Sequence, residues 1–418
     1  MKTTRKFVAA MILTIMALNA SSQFALSGEL RPRAEYRHGF SSLIAEDEEA
    51  AFFVSQRLRL NFRYGMEEFT FFVSLQDVRV WGEVPQLNRS DFNSSIHEAW
   101  GELKLSPAMA LRLGRQELVY DNARMLGNVD WAQQGRSHDL ALLKWTTSER
   151  SQLHAGFAFN QEGERRVSTF YTLNNYKTMQ FLWFNQRWEN TGLSLLFLNN
   201  GMQGLGKTHF SQTTGGRLTT KLSAIDFSAS AYMQTGRDAI DRKLSAFYLA
   251  AEGRYNFSEN LKGALGIEFL SGTHLAETSD PNAINRSFNP LYGTNHAFNG
   301  HMDYFYVGNH INNVGLINPY LTTQYSKDKF LLQGNLHLFF SDGAVHEPGN
   351  PGNQMSAYLG TELDLILGYT ISPQASIRGG YSHLFATETM ERIKGGNHTQ
   401  LQNWMWVMVV LKPTLFSN

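Results

Sequence analysis

The sequence predicts a closed antiparallel β-barrel that spans an outer membrane, and three observations indicate this fold class. Apolar and polar residues alternate with a period of two along runs of about 10 residues. Short polar turns alternate with long loops along the 418-residue chain. Charged residues also recur on one face of single strands, which is rare in a soluble sandwich. Because lipid offers no hydrogen bonds, a sheet of this kind must close on itself.

The first 22 residues have the pattern of a secretory signal peptide. Lys2, Arg5 and Lys6 precede the apolar run Phe7–Leu18, and Ala20–Ser22 supplies small residues for cleavage. We therefore expect residues 1–22 to be removed and residues 23–418 to form a single barrel domain. The chain has no cysteine, which excludes disulfides and thiolate metal sites. Its formal net charge of +0 argues against a nucleic-acid partner.

The alternation is plainest in the first two predicted strands. From Glu29 to Arg37 the odd positions are all charged, whereas the even positions are mostly apolar. The run from Val54 to Tyr64 repeats the pattern, with arginines on one face and mostly large apolar side chains on the other. The parity slips near Gln76–Asp77, which predicts a β-bulge there.

The connections set the strand number and the orientation. Short turns are predicted at 65–67, 106–108, 146–150, 188–191, 223–224, 258–260, 326–328 and 372–373, with longer loops near 41–51, 81–95, 120–137, 160–175, 199–213, 236–242, 271–314, 341–355 and 386–399. This alternation implies about 18 strands, give or take about two. Short turns then face the periplasm and long loops face outside. Aromatic residues near the strand ends fit interfacial girdles in outer-membrane lipid. The aromatic last strand, Trp404 to Phe416, resembles the signal that barrel-assembly machinery reads.

A stripe of arginines lies on the predicted lumen faces of the first strands, and two interpretations stay open. Arginine carries a permanent charge and binds carboxylates in a bidentate manner. Acidic residues on neighbouring strands therefore predict a lattice of salt bridges that stiffens the lumen. The alternative is a rail that guides anionic solutes, since rings of one charge sign set pore selectivity.

The stretch from Gly114 to Trp145 contains the densest charged cluster of the chain. We interpret its ends as two strands and residues 121–137 as an outward loop. This loop holds Met125, Leu126 and Trp131, which a freely solvated loop would not need, so we expect it to fold into the mouth and narrow the pore. The residues predicted to line the pore are Arg31, Arg33, Arg57, Arg59, Arg79, Glu98, Arg115, Glu117, Asp121, Arg124, Asp130, Arg136 and Asp139.

Motifs of catalysis and cofactor binding are weak. Gly201–Thr208 formally matches a phosphate-binding loop, but the motif needs a helix at its lysine and an alternating strand follows instead. The chain has neither the zinc-protease nor the nucleophile-elbow motif. The loop 271–314 offers His296, His301, Asp303 and His310 to a cation, with a hydrogen-bonded loop as the alternative. We predict no enzyme activity, no cofactor and no metal.

Several motifs resemble those of the alginate-export porin family. They are Ser74–Gly82, His97–Glu102, Gly114–Glu117, Trp131–Asp139, Phe288–His296 and Phe298–Tyr304. The resemblance implies a monomeric outer-membrane barrel with 18 strands. It also implies an arginine-lined pore, because founding members of the family pass an anionic uronic-acid polymer outward. The arginines at matching motif positions are Arg79, Arg115, Arg124 and Arg136.

The expected function is passive passage of small hydrophilic solutes, anionic ones and saccharides included, through an outer-membrane porin. One alternative is a dedicated exporter of an alginate-like acidic polysaccharide. A second, of another class, is a hydrolase of the envelope carried by the barrel. A third is a surface receptor or adhesin with a closed barrel.

Overall fold

The computed structural model describes residues 23–173 and 175–418, and it is a closed antiparallel barrel of 18 strands. The sheet closes where β1 (Gln23–His38) pairs with β20 (Gln402–Leu411) and with its continuation β21 (Thr414–Ser417). Within the described residues, each of the 18 wall strands pairs with a wall strand on either side, so the wall leaves no strand edge open to lipid. The predicted fold class is confirmed. The predicted signal peptide, residues 1–22, lies outside the described residues.

The remaining strands follow one another around the wall. They are β2 (Ala51–Gly65), β3 (Phe69–Val80), β4 (Ser94–Ser106), β5 (Met109–Gln116), β6 (His138–Ser148), β7 (Ser151–Phe159), β8 (Thr178–Arg187), β9 (Thr191–Gln203), β10 (Thr208–Leu222), β11 (Ile225–Arg237), β12 (Lys243–Asn256), β13 (Leu261–Leu270), β14 (Leu316–Lys327), β15 (Phe330–Phe340), β18 (Tyr358–Ser372) and β19 (Ala375–Ala386). A small hairpin, β16 (His346–Glu347) and β17 (Asn350–Gln354), lies in the loop before β18.

Within the described residues, the helical segments are short and lie in the loops. They are the 3-10 turns Leu275–Glu277 and Asn295–Ala297 and the α-helices Val307–His310 and Glu388–Lys394. In the last helix, the Thr387 hydroxyl caps the start by accepting from the Met390 amide at 3.3 Å, and Gly395 ends it with a positive φ of 71°. None of the helices in the described ranges has the length and apolarity needed to cross a bilayer.

The two faces of the wall have opposite polarity. Large apolar side chains point outward, and Leu265 and Leu367 remain 68% and 63% exposed. Charged side chains point inward, where Arg57 and Glu362 are fully buried. This is the reverse of a soluble barrel and follows from placing the outer face in lipid and the inner face against polar groups.

The predicted turns agree with the observed periplasmic connections, but two details are wrong. The bulge lies not at Gln76–Asp77 but in the partner strand β4, where the register skips His97. The parity of β3 stays regular against β2. The segment 201–208 is not part of a long loop, because β9 runs to Gln203 and β10 begins at Thr208. It forms a tight hairpin closed by the Gly204 amide and the Lys207 carbonyl at 2.9 Å, so a phosphate-binding helix is absent there.

The polarity of the wall predicts how it responds to a new charge. Replacing Leu265 with Arg places a cation on the outward face in the middle of β13 and should lower the free energy of unfolding by about 2–4 kcal/mol. The control is Thr322→Arg on β14, which faces the inner cavity opposite Ala264 and should be nearly neutral. Urea unfolding in lipid vesicles measures both. Equal effects of the two variants would contradict the assigned faces.

Candidate functional site

Two of the long loops fold into the barrel rather than away from it. The first inner loop, Glu117–Ser137, joins β5 to β6, and the second inner loop, Ser271–Gly315, joins β13 to β14. In the first loop, Leu118 is 2% exposed and Leu126 is completely buried. Leu126 also forms a β-bridge with Tyr292, so the two loops contact each other inside the lumen. The prediction that residues 121–137 fold inward is confirmed.

The arginine stripe holds the first inner loop against the wall. Arg33 donates to the Trp131 carbonyl at 2.7 Å, and Arg31 to the Ala132 carbonyl at 3.3 Å. One strand further, Arg57 and Arg59 donate to the next two carbonyls of the loop, at 3.4 Å and 3.2 Å. Four consecutive carbonyls that have left the sheet are therefore satisfied by four guanidinium groups of the wall.

Carboxylates balance the charge of these arginines. Glu35 accepts from Arg33 at 2.8 Å, and Glu29 accepts from Arg57 at 2.5 Å. Asp130 pairs with Arg57 at 2.8 Å and with Arg31 at 3.3 Å. Burial alone would raise the pKa of Asp130, but the two guanidinium groups outweigh it and hold that pKa below its ordinary value. In this part of the wall the arginines form a salt-bridge lattice, with little surface left for a passing solute.

A single buried arginine ties the loops to the opposite wall. Arg124 is 3% exposed and donates to Glu268 of β13 at 2.8 Å. The same guanidinium donates to Asn299 at 2.8 Å and to Asn295 at 3.1 Å, both in the second inner loop. Arg136 adds a bond to the Gly293 carbonyl at 3.1 Å. Since a buried ion pair loses much if one partner is removed, this contact dominates the junction of the loops.

Backbone strain collects where the loops meet. Ala123, Val129 and Leu291 have positive φ values of 61°, 53° and 37°, which cost free energy in residues with a β-carbon. A β-carbon at Gly293 would lie 2.1 Å from the Arg124 carbonyl, so the approach of the two loops requires glycine. Surrounding contacts therefore impose this conformation on both loops.

Two residues predicted to line the pore, Arg115 and Asp139, lie on the outer face, whereas Arg79, paired with Asp77 at the outer end of β3, is among the residues that line a cavity at the outer mouth. The register places Arg115 opposite Ala99 and Asp139. The outward side chains of Arg115 and Asp139 pair with each other at 3.0 Å. The prediction was wrong for these two residues because polarity does not identify the lumen face where a strand leaves the bilayer. Alternation along β5 instead turns Arg112 and Gln116 inward.

The other predicted residues point into the barrel or lie within the first inner loop. Glu98 accepts from the Trp100 ring at 3.2 Å and from the Glu117 amide at 2.9 Å. Asp121 accepts from the Trp183 ring at 3.2 Å, and burial raises its pKa. Most of the predicted residues that face inward form salt bridges or hydrogen bonds with other residues of the protein.

Cavities remain on both sides of the loop junction. The outer vestibule, about 540 Å³, is lined by Arg33, Glu35, Arg37, Phe40, Phe53, Trp131, His296, Asp303 and Tyr306 among others. Arg37 stacks on Phe40, and Arg33 on Trp131, each with its guanidinium 4.0 Å from the ring centre. Two inner cavities, about 350 and 660 Å³, lie on the other side. The segment from His296 to Asp303 separates the outer vestibule from them.

Arg217 is a site residue that sequence reasoning missed. It lies on the inward face of β10 opposite Ser230, whose hydroxyl it reaches at 3.1 Å, and it lines both inner cavities. Among the described carboxylates, none forms a salt bridge with Arg217. Alternation along β10 puts Thr213, Arg217 and Lys221 on one face. The charge pattern of β10 is weaker than that of β1 and β2, where arginines recur at alternating positions.

One constellation has the residue types of a hydrolase. His97 contacts Glu117 at 2.7 Å through Nε2 and Ser137 at 3.3 Å through Nδ1. The imidazole is only 4% exposed, and Glu117 also accepts from Asn128 at 2.8 Å. None of the three residues lines the outer vestibule or the two inner cavities, and their mutual contacts join the first inner loop to β4.

Comparison with known proteins extends these observations. A family model described as alginate export matches residues 22–402. OccK2 (OpdF) of Pseudomonas aeruginosa, solved in complex with glucuronate, is 15% identical, with a TM-score of 0.61 over 94% of this chain and 98% of that one. OpdK of Pseudomonas aeruginosa with vanillate is 12% identical, with a TM-score of 0.59 over 94% and 99%. OccAB4 of Acinetobacter baumannii is 11% identical, with a TM-score of 0.63 over 94% and 98%. These likenesses establish the fold. No curated protein is significantly similar in sequence.

Two of the three arginines in the Gly114–Trp145 stretch make a matched test of the junction. Arg124→Gln leaves Glu268 buried without its cation and should lower the free energy of unfolding by about 3–5 kcal/mol. Arg115→Gln breaks an exposed pair on the outer face and should cost about 1 kcal/mol or less. Urea unfolding and protease cleavage within the inner loops report the difference. If Arg124→Gln were as stable and as protease-resistant as Arg115→Gln, the buried bridge would not anchor the loops.

Proposed function

The chain belongs to the alginate export family, and on that premise we propose that it is an outer-membrane channel through which small hydrophilic solutes pass down their gradient. The observation that carries the proposal is the pair of polar compartments, the outer vestibule and the inner cavities, on either side of a thin loop junction. A wall that is apolar outside and charged inside supports a water-filled passage. The proposed sequence of compartments needs no covalent chemistry.

We propose that small carboxylates are among the solutes. In the outer vestibule, Arg33 and Arg37 pair with Glu35 and stack on Trp131 and Phe40. Arg37 is the more exposed of the two and is the guanidinium group that the vestibule can present to an anion. On the inner side, Arg217 presents a guanidinium group to both cavities. Glucuronate and vanillate, which accompany two structures of similar fold, are both carboxylates.

Export of an acidic polysaccharide is the second candidate, favoured by the description of the family. A polymer needs one continuous tunnel during the whole of its passage. Arg124 and its three partners lie across the route between the compartments, and a polymer would have to keep these buried contacts broken. A small solute needs only a brief local opening. The junction therefore favours small solutes.

The remaining alternatives have weaker support. A hydrolase would need substrate access to His97, which is 4% exposed beside the first inner loop, and to Ser137, the last residue of that loop. A closed receptor would have little use for cavities on both sides of the junction. We further propose a monomer that contacts outer-membrane lipid through its apolar face and is inserted by barrel-assembly machinery.

Single-channel recording in planar bilayers tests the channel. We expect discrete conductance steps with a preference for anions, together with swelling of proteoliposomes in glucuronate. Arg217→Gln removes an unpaired cation from the inner cavities. At about 5 Å in a water-like medium one charge is worth about 0.8 kcal/mol, so anion entry should fall roughly fourfold and cation entry should rise roughly fourfold. The anion-to-cation permeability ratio should therefore fall by about 16-fold.

Arg115→Gln on the outer face is the matched control and should leave the reversal potential unchanged. Absence of current from correctly folded protein would contradict the channel proposal. An unchanged reversal potential in Arg217→Gln would remove this arginine from the permeation path. Efflux of uronate oligomers that is faster than efflux of the monomer would favour polymer export instead.

A further inference from the structure

Four titratable side chains meet where the second inner loop touches the wall. Glu362 and Asp364 project inward from β18, His337 projects from β15, and His301 belongs to the loop. The Asp364 Oδ2 atom lies 3.8 Å from His301 Nδ1 and 3.8 Å from His337 Nε2. The Oε1 atom of Glu362 accepts a hydrogen bond from the Met302 amide at 2.9 Å. We name this group the Asp364 cluster.

The two carboxylates are buried and incompletely satisfied. Glu362 is 0% exposed and Asp364 is 1% exposed. With both groups ionised, Glu362 Oε2 and Asp364 Oδ2 have no donor, and they are the only buried carboxylate oxygens in this state within residues 23–173 and 175–418. The two side chains lie close enough to share one proton. In that same part of the chain, no arginine or lysine forms a salt bridge with either group. Since an unpaired buried carboxylate is very costly, the cluster needs a positive species, either a proton held between the two carboxyl groups or a metal ion that displaces it.

The tautomer of His337 points to the same conclusion. The amide nitrogen of Asn318 donates to the Leu338 carbonyl at 3.0 Å, so its oxygen is the atom that faces His337 Nδ1 at 3.1 Å. Nδ1 must therefore carry the proton. In the neutral ring, the lone pair of Nε2 then faces the unpartnered oxygen of Asp364. A carbonyl that receives the distal N–H of a histidine is the usual support of a metal-binding imidazole.

The distances suit a shared ion better than a direct bond. A separation of 3.8 Å is too long for a hydrogen bond. Two ligands at about 2.1 Å from one tetrahedral ion lie about 3.4 Å apart, so a small movement completes the contact. We propose that His301, His337 and Asp364, with Glu362 beside them, bind one divalent transition-metal ion of the zinc type. Two imidazoles and two carboxylates match the ligand preferences of such ions and neutralise the charge.

A second group of possible metal ligands has shorter distances between its ligand atoms, but its contacts support metal binding less well. The facing atoms of His97, Glu98 and Glu117 lie within 4.8 Å of one another. Each of these residues already has a hydrogen-bond partner, and Arg59 approaches Glu117 to 3.7 Å, which disfavours a cation. The ligand atoms of the Asp364 cluster do not all lie within 4.8 Å of one another, so metal binding there requires a shift of His301, which belongs to the loop. Both of its histidines line an inner cavity, which gives an ion a route of entry.

The bound ion would link the second inner loop to two wall strands. His301 lies within the segment that separates the outer vestibule from the inner cavities, whereas Asp364 and His337 belong to the rigid sheet. Metal binding therefore stabilises the position of the junction. The inference stands on the geometry of the Asp364 cluster and does not depend on which solute passes.

Metal titration of the intact barrel, purified in detergent and stripped with EDTA, tests the proposal. We expect one equivalent of Zn²⁺ by elemental analysis, and with Co²⁺ the visible absorption of a nitrogen- and oxygen-ligated ion. Asp364→Asn should weaken Zn²⁺ binding about ten- to a hundredfold or more. His337→Gln should act in the same direction. Glu117→Gln is the matched control from the tighter group and should bind as the wild type does.

Several outcomes would overturn the proposal. They are wild-type protein without stoichiometric metal, Asp364→Asn with wild-type affinity, and Glu117→Gln with lost affinity. The titration of the wild type decides the question even if a variant does not fold, which the migration of unheated protein on a gel reveals. Conductance is not a readout here, so failure of the metal proposal leaves the channel proposal untouched, and the reverse also holds.

Discussion

The structure depends on one constraint: within lipid, every backbone donor and acceptor must find its partner inside the protein. The sheet meets this constraint by closing β1 onto β20. Closure then forces the outer face to be apolar and leaves the inner face to the polar residues. The same rule governs the loops that enter the lumen, because their carbonyls have left the sheet and are shielded from bulk water.

The arginines of β1 and β2 answer that second requirement. Consecutive carbonyls from Trp131 to Gln134 each receive a guanidinium donor of the wall. Because these bonds go to backbone atoms, they fix the path of the first inner loop largely without regard to its side chains. Asp130 and Glu29 then offset the concentrated positive charge. The sequence alone left open whether these arginines guide anions or form salt bridges. In the structure, their guanidinium groups mainly hold the first inner loop in place.

How much the sequence could predict varies with the range of the interaction. Alternation is local, so the barrel, the periplasmic turns and the inward arginines of β1 and β2 were accessible from sequence. Arg115 and Asp139 were misplaced because the outer face turns polar again beyond the bilayer, where alternation no longer tells the faces apart. The skipped register at His97 depends on pairing between strands. His301, His337 and Asp364 are far apart in sequence, and only the closed sheet brings them together.

Permeation must therefore be a property of the loops and not of the wall. The strands form a continuous hydrogen-bonded cylinder, whose opening would expose unpaired backbone to lipid. The inner loops, in contrast, meet through a few buried contacts around Arg124 and through strained residues such as Val129 and Leu291. Strain of this kind persists only while neighbouring contacts impose it. Weakening one such contact lets the junction relax while the cylinder stays intact, so the junction is where opening costs least free energy.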